Sequence, residues 1–226
     1  MNANVTVLDD IPFVPDVPKL AESLGIDPDS AEREEFDALA AAAVRTAKPK
    51  ACFAEAAVES LDGDRVMVGG MAFTSRLLRD NLSPNLMAFP YLATCGRELH
   101  ELLANRADPL EGWWGETLMR EALGAAIARL TERIDARTHP AGMATMNPGS
   151  LPEWPLSEQT PLFSLLADGV ARVGIELTES LLMVPQKSVS GVRFANAHGY
   201  VNCRLCPREN CPNRRAPRDS GVGEMA

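Results

Sequence analysis

Gly174-Ile-Glu-Leu-Thr-Glu-Ser-Leu-Leu-Met-Val-Pro-Gln-Lys-Ser-Val-Ser-Gly-Val-Arg-Phe194 is the stretch on which the reading of this chain turns. Taken residue by residue it reads as two strands, roughly 174–182 and 188–194, set before a distinct tail. Immediately upstream lies a helical segment, 157–166, behind a Gly/Pro-rich connector at 143–155. Further back, Met119, Leu123, Ile127, Leu130 and Ile134 recur at three- and four-residue steps, which predicts the longest helix over 116–136. Its other face carries Arg120, Glu121, Arg129, Glu132 and Arg133, most simply a solvated surface. Residues 86–94 form an almost unbroken apolar run, as a central strand covered on both faces requires.

Nearer the start, 51–59 and 65–68 read as strands joined through the turn-forming pair Asp62-Gly63, with Gly69-Gly70 ending the hairpin and a short helix over 75–82. Asp29 with Glu32 resembles a capping box, opening a helix through Phe36, Leu39, Ala43 and Val44 that Pro49 stops. Pro12, Pro15, Pro18 and Pro28 punctuate the first thirty residues, which are expected to run as an extended arm. No internal repeat is visible. Strands interleaved with helices define an α+β fold with a mixed or antiparallel sheet, spanning 1–202 and followed by a cysteine-rich basic tail at 203–226.

Composition narrows the function. A chain of 226 residues, 46% hydrophobic and 23% charged, can bury a core that needs no covalent staple. A net charge of −9 argues against a nucleic-acid binder that works through bulk positive charge. Five cysteines exclude a fully paired disulfide framework. Residues 1–10 carry Asp9 and Asp10 and no signal-peptide pattern, and no apolar stretch approaches membrane-spanning length, so a cytoplasmic protein with no membrane partner is expected.

The densest chemistry is Cys203-Arg-Leu-Cys206-Pro-Arg-Glu-Asn-Cys211-Pro, three thiols in C-x2-C-x4-C spacing that can converge on one soft metal ion or cluster. Spacing alone does not separate iron–sulfur from zinc, or either from reduced or redox-active thiols. Cys95, His198, a substrate or nothing could fill the fourth ligand place. The same segment is basic: Arg204, Arg208, Arg214, Arg215 and Arg218 stand against Glu209 alone, which suits docking of an anionic partner, charge compensation of a cluster, or plain solvation. Cys95 ends the apolar run of 86–94, where a strand turns into a helix, and reads as either core or ligand; Cys52 reads as core. His100, His139 and His198 show no zinc spacing to one another, and neither a phosphate loop nor a nucleophile elbow is present. The loop 147–155, with Pro148, Gly149 and Ser150 followed by Trp154, is either a second candidate site or a connector.

The quoted stretch resembles the C-terminal activation domain of cobalamin-dependent methionine synthase, whose pattern is L-T-E-S-x-x-M-x-P-x-x-S-V-S-G-x-x-F. Leu177 to Ser180, Met183, Pro185, Ser188 to Gly191 and Phe194 meet every fixed position. Pro148-Gly149 and the helix opening near Ser157-Glu158 are similar to the family's P-G-Y-P loop and the helix after it, so the resemblance covers roughly 50–200. It implies helices around a twisted, mainly antiparallel sheet, with a shallow groove for S-adenosylmethionine that faces the cobalamin of a partner. Carried over by position, Pro148, Gly149, Ser150, Glu179, Ser180 and Tyr200 become the cofactor-binding candidates. Thr145 stands where the family has an arginine for the ligand's carboxylate, Ser150 where it has a tyrosine, and Gly124 near a family glutamate. The resemblance also favours a [4Fe-4S] centre over zinc on Cys203, Cys206, Cys211 and Cys95. The expected role is accessory: reductive reactivation of a corrinoid methyltransferase on another polypeptide, with S-adenosylmethionine as methyl donor and the C-terminal Fe–S centre as electron donor. The alternative is a non-catalytic corrinoid-protein binding module, or methionine synthase subunit, with structural zinc. A methyltransferase that uses S-adenosylmethionine on an unrelated acceptor is the third reading.

Overall fold

A computed structural model describes residues 4–219 apart from 85, 139–141, 196–198, 209 and 212–213. In chain order, strand β1 (Val5–Leu8) precedes helices α1 (Val17–Ser23) and α2 (Ala31–Thr46), then strands β2 (Lys50–Ala54), β3 (Ala56–Asp62), β4 (Arg65–Val68) and β5 (Met71–Thr74). Next come helix α3 (Arg76–Asn81), strand β6 (Met87–Thr94), helix α4 (Arg97–Leu103), the long helix α5 (Pro109–Thr138) and strand β7 (Met143–Met146). A 3-10 turn at Leu156–Glu158 leads to α6 (Gln159–Leu165) and α7 (Ala167–Val173). The chain then forms β8 (Glu176–Leu177), β9 (Met183–Val184), β10 (Ser188–Ala195) and the short helix α8 (Asn202–Leu205).

Every strand pairing is antiparallel, and β6 is the hub of an eight-stranded sheet. One edge of β6 is covered along Ala88–Thr94 by β10, which in turn pairs with β7. Its other edge is shared. β2 pairs with its C-terminal half and β3 with Met87 and Ala88, so the two part from each other at Glu55. The two pairings keep one register, which sets Ala54, the last residue of β2, opposite Pro90. Leu86 accepts from Val58 of β3 while Cys95 donates to Lys187 just before β10, so even-numbered backbone groups point toward β2 and β3. Pro90 has no N–H to give on that side, so the ladder lapses opposite it and the two strands separate.

Alternation along β6 then divides the core. Phe89, Tyr91 and Ala93 pack against Ala126, Leu130 and Ile134 of α5. Ala88 and Leu92 face Leu162, Leu165, Leu166 and Val173 of α6 and α7. A third, helical cluster joins α2, α4 and α5, with Phe36 edge-on to Trp114 at 5.6 Å. The apolar run of 86–94 is thus the doubly covered central strand that its composition predicts. Cys52 lies in the core as expected, its thiol pushed up to about 12 by burial.

Several expectations are corrected. The first thirty residues are not wholly an extended arm: β1 extends the sheet on β2, and Asp16 caps α1 by accepting from the Lys19 amide at 3.2 Å. Ser30, one residue past the predicted cap, accepts from the Arg33 amide and starts α2. Gly69-Gly70 does not end the hairpin but turns it into a third strand, β5. Helix α5 starts at Pro109 rather than Glu116, because Asp108 accepts from the Leu110 amide at 2.7 Å and proline fits the first helical position. Its buried stripe is Trp114, Leu118, Ala122, Ala126, Leu130 and Ile134; the alanines let the helix lie close, whereas Ile127 is 38% exposed. The predicted strand 174–182 shrinks to Glu176–Leu177. Thr178 closes a turn by accepting from Leu182, with Leu181 at φ 63°, before β9 returns along β8. Trp154 offers no aromatic face to a ligand: it is fully buried, edge-on to Phe73 at 6.5 Å.

Candidate functional site

The groove forms where α5 passes over the surface made by β6, β10 and β7. Because side chains alternate on a strand, Tyr91 of β6, Val189 and Arg193 of β10, and Met143 and Thr145 of β7 face the same side. Ile127, Leu130 and Thr131 of α5 form the opposite wall, and Asn147 lies with Asn202 and Arg215 of the tail at the rim. The enclosed space is about 550 Å³.

Gly191, between Val189 and Arg193, sets the floor. A Cβ there would stand 2.5 Å from the Met146 carbonyl, 2.6 Å from Asn147 Nδ2 and 2.8 Å from the Tyr91 hydroxyl. Its absence lets the Asn147 amide donate both to the Tyr91 hydroxyl (2.8 Å) and to the Ser190 carbonyl (2.7 Å). Ser188 donates to Pro185 O at 2.7 Å and lies 2.9 Å from Thr94 Oγ1. The S-V-S-G stretch is thus the joint that locks β10 onto β6 and β7.

Across the floor, Arg193 is held by Asp135 of α5 through two hydrogen bonds, Nε to Oδ1 at 2.7 Å and Nη2 to Oδ2 at 2.6 Å. Its third arm reaches Thr145 Oγ1 at 3.1 Å. Burial pushes the Tyr91 phenol up to about 12, so it stays protonated at neutral pH. The groove therefore offers apolar wall, neutral hydrogen-bonding groups and two guanidinium groups, and none of its lining side chains is a nucleophile or an acid–base group tuned near neutrality. It is built to hold a ligand.

The predicted site residues divide. Pro148, Gly149 and Ser150 form the turn at the Asn147 rim: Gly149, at φ 78°, donates to Trp154 O at 2.7 Å, and Ser150 Oγ donates to Asn147 O at 2.7 Å. Ser150 also contacts Asn202 Oδ1 at 3.3 Å, the atom to which the Tyr200 hydroxyl donates at 2.8 Å. Burial, with Glu153 and Cys203 nearby, raises the Tyr200 phenol further still. These four residues thus meet at the tail side of the groove. Glu179 and Ser180 do not join them. Both are exposed in the turn between β8 and β9, Ser180 Oγ 3.0 Å from Thr178 Oγ1. Gly124 is exposed on α5 and lines nothing in the groove.

The cysteines do not converge. Cys95 is buried in the cluster of α2, α4 and α5, and burial pushes its thiol up to about 12. Cys206 packs on the sheet core, while Cys203 Sγ accepts from the Arg215 amide at 3.4 Å, and that bond lowers its thiol below the ordinary value. The middle of the tail is occupied by the Arg214 guanidinium, which donates to the carbonyls of Cys203 (2.7 Å), Cys206 (3.2 Å), Ala216 (3.2 Å) and Arg208. Among the described residues no three His, Cys, Asp or Glu side chains gather as a metal-holding group. The tail donor set as placed does not fit a cluster or a zinc ion, and His198 lies outside the described residues. Sequence reasoning missed Arg193, Asp135 and Tyr91, whereas Asn147 opens the loop 147–155 that it singled out. The one available signal was the period-two alignment of Val189, Gly191 and Arg193.

The groove and sheet define an α+β domain with an open groove beside its central strand. Residues 148–214 match the family described as vitamin B12 dependent methionine synthase, activation domain. That match runs past Cys203, Cys206 and Cys211, so the tail cysteines lie inside the region of similarity rather than beyond it. In fold, the chain is similar to a crystal structure of the MetH reactivation domain bound to AdoHcy, with TM-score 0.61 and 16% identity over 88% of this chain and 81% of that one. No curated protein matches the sequence significantly. The resemblance seen at 174–194 is borne out, and so is the α+β fold with a curled antiparallel sheet. Among the described residues no helix is long and apolar enough to cross a membrane.

Proposed function

We propose that this chain serves the reductive reactivation of a cobalamin-dependent methyltransferase of the methionine synthase kind, binding S-adenosylmethionine in its groove and docking on the protein that carries the corrinoid. The observation that carries this reading is a groove equipped to bind but not to catalyse, on the fold of a reactivation domain whose crystal structure holds AdoHcy. In the proposed reaction, one electron from a low-potential donor outside this chain takes the oxidised corrinoid to its nucleophilic state, which accepts the methyl group from the sulfonium sulfur and releases S-adenosylhomocysteine.

The protein's own part is positional. Ile127, Leu130, Met143 and Val189 shelter the apolar parts of the ligand, Asn147 and Asn202 meet its polar edge, and Tyr91 stays protonated as a hydrogen-bonding group beneath it. Holding both reactants in line is itself a large share of catalysis when the reacting atoms supply the chemistry. The electron is taken from outside the chain in this reading, because the tail thiols among the described residues do not gather into a metal-holding group.

Two measurements test the proposal. Calorimetric titration with S-adenosylmethionine is expected to show one site. An anaerobic mixture of a corrinoid methyltransferase, a low-potential reductant and S-adenosylmethionine is expected to form methylated corrinoid faster, by its absorbance, when the chain is added. No heat and no acceleration would overturn it; binding to the corrinoid protein that ignores S-adenosylmethionine would instead favour the non-catalytic module.

A further inference from the structure

We infer that Arg215 anchors the anionic end of the groove's ligand, a carboxylate, so that the C-terminal tail is a wall of the binding site rather than an appendage. The inference rests on the S-adenosylmethionine reading above and extends it to which residue recognises the ligand's amino-acid end.

Two guanidinium groups line the groove, and their situations differ. Arg193 has a side chain only 13% exposed, is held in a two-point pair by Asp135, and gives its remaining arm to Thr145. Its charge is already compensated. Arg215 stands on the tail side, and no ion pair with a carboxylate is found for it among the described residues. The other lining groups are neutral, and the Arg215 side chain hydrogen-bonds the Cys203 thiol, a partner that leaves its guanidinium without a paired carboxylate among the described residues.

Arg215 is also held in place. Its backbone amide donates to Cys203 Sγ at 3.4 Å, and the adjacent Arg214 binds the Cys203 and Cys206 carbonyls. Asn202, one residue before Cys203, is braced by Tyr200 and Ser150. A guanidinium that leans on the Cys203 thiol rather than on a carboxylate, beside neutral amide and hydroxyl groups, suits a single two-oxygen anion with a zwitterionic remainder.

The test compares S-adenosylmethionine with its decarboxylated analogue by calorimetry on the full chain, as wild type, Arg215→Ala and Arg215→Lys. Wild type is expected to bind S-adenosylmethionine about tenfold or more tightly than the analogue, a margin that Arg215→Ala abolishes and Arg215→Lys partly restores. Near-ultraviolet dichroism and the thermal midpoint verify that each variant is folded. Equal weakening for both ligands makes Arg215 a mere wall and overturns the inference, as does unchanged binding in Arg215→Ala; the S-adenosylmethionine reading survives both. Failure of wild type to bind either compound overturns that reading and the inference with it.

Discussion

The two rims of the groove are held by opposite means. On the sheet side, β10 is fixed by close backbone approach: Gly191 admits Met146 O, Asn147 and Tyr91 to distances no side chain would permit. On the tail side, one side chain, Arg214, draws several carbonyls around its guanidinium. The first is part of the cooperative core, continuous with β6. The second is a local unit laid against it, able to open at a free energy well below that of global unfolding. The recognisable motif sits on the sheet rim, and that teaches what the motif encodes. Its conformation-setting residues secure the floor, while the groove-lining Arg193 and Arg215 lie at positions the motif leaves open or outside it.

Substitutions can break or sharpen this contrast. Gly191→Ala is expected to do most harm, because its Cβ would stand 2.5 Å from the Met146 carbonyl, backbone that cannot yield, and would press on Asn147 and Tyr91 as well. A loss of about 3 kcal/mol is expected, lowering the thermal midpoint by roughly 6–12 °C in calorimetry. Asp135→Ala leaves Arg193 partly buried without its two-point partner. Since Asp135 is 37% exposed, solvent screens the pair and the expected cost is about 1–2 kcal/mol by chemical denaturation. Arg214→Ala should leave the global midpoint nearly unchanged while proteinase K cuts 203–219 several-fold faster; a large fall in midpoint would show that the two rims form one cooperative unit. The smallest perturbation is chemical. Iodoacetamide at neutral pH should label Cys203 first, with a half-point below that of an ordinary thiol, whereas Cys52 and Cys95, pushed up to about 12, stay unlabelled in the folded chain by peptide mapping.

The legible parts of the molecule were those fixed locally. The apolar run of β6, the short helix within 75–82 and the hairpin after 59, whose turn falls one residue past the expected pair at Gly63-Asp64, each declare themselves within a few residues. Leu-Thr-Glu-Ser read as strand because its composition suits one, but the Thr178 hydroxyl bonds the Leu182 amide and folds the segment into a turn. The α5 stripe was drawn through the large residues, yet Ala122 and Ala126 face the core because small side chains bring helix and sheet closer than Ile127 would. The groove itself was illegible: Arg193 and Asp135 are 58 residues apart, and Arg215 meets the Tyr91 side only through the return of the tail. The cysteine spacing suggested convergence, and the arginine beside it took the central place.

The covering of β6 by β10 also bears on how the protein is made. Strand β6 ends at Thr94, and its second edge is not paired until Ser188–Phe194 has been synthesised. While the intervening segment is being translated, a strand buried on both faces in the finished protein presents an unpaired, apolar edge. Completion of the sheet is therefore a late event on the ribosome, and the nascent chain is most exposed to aggregation and to chaperones just before its last long strand emerges.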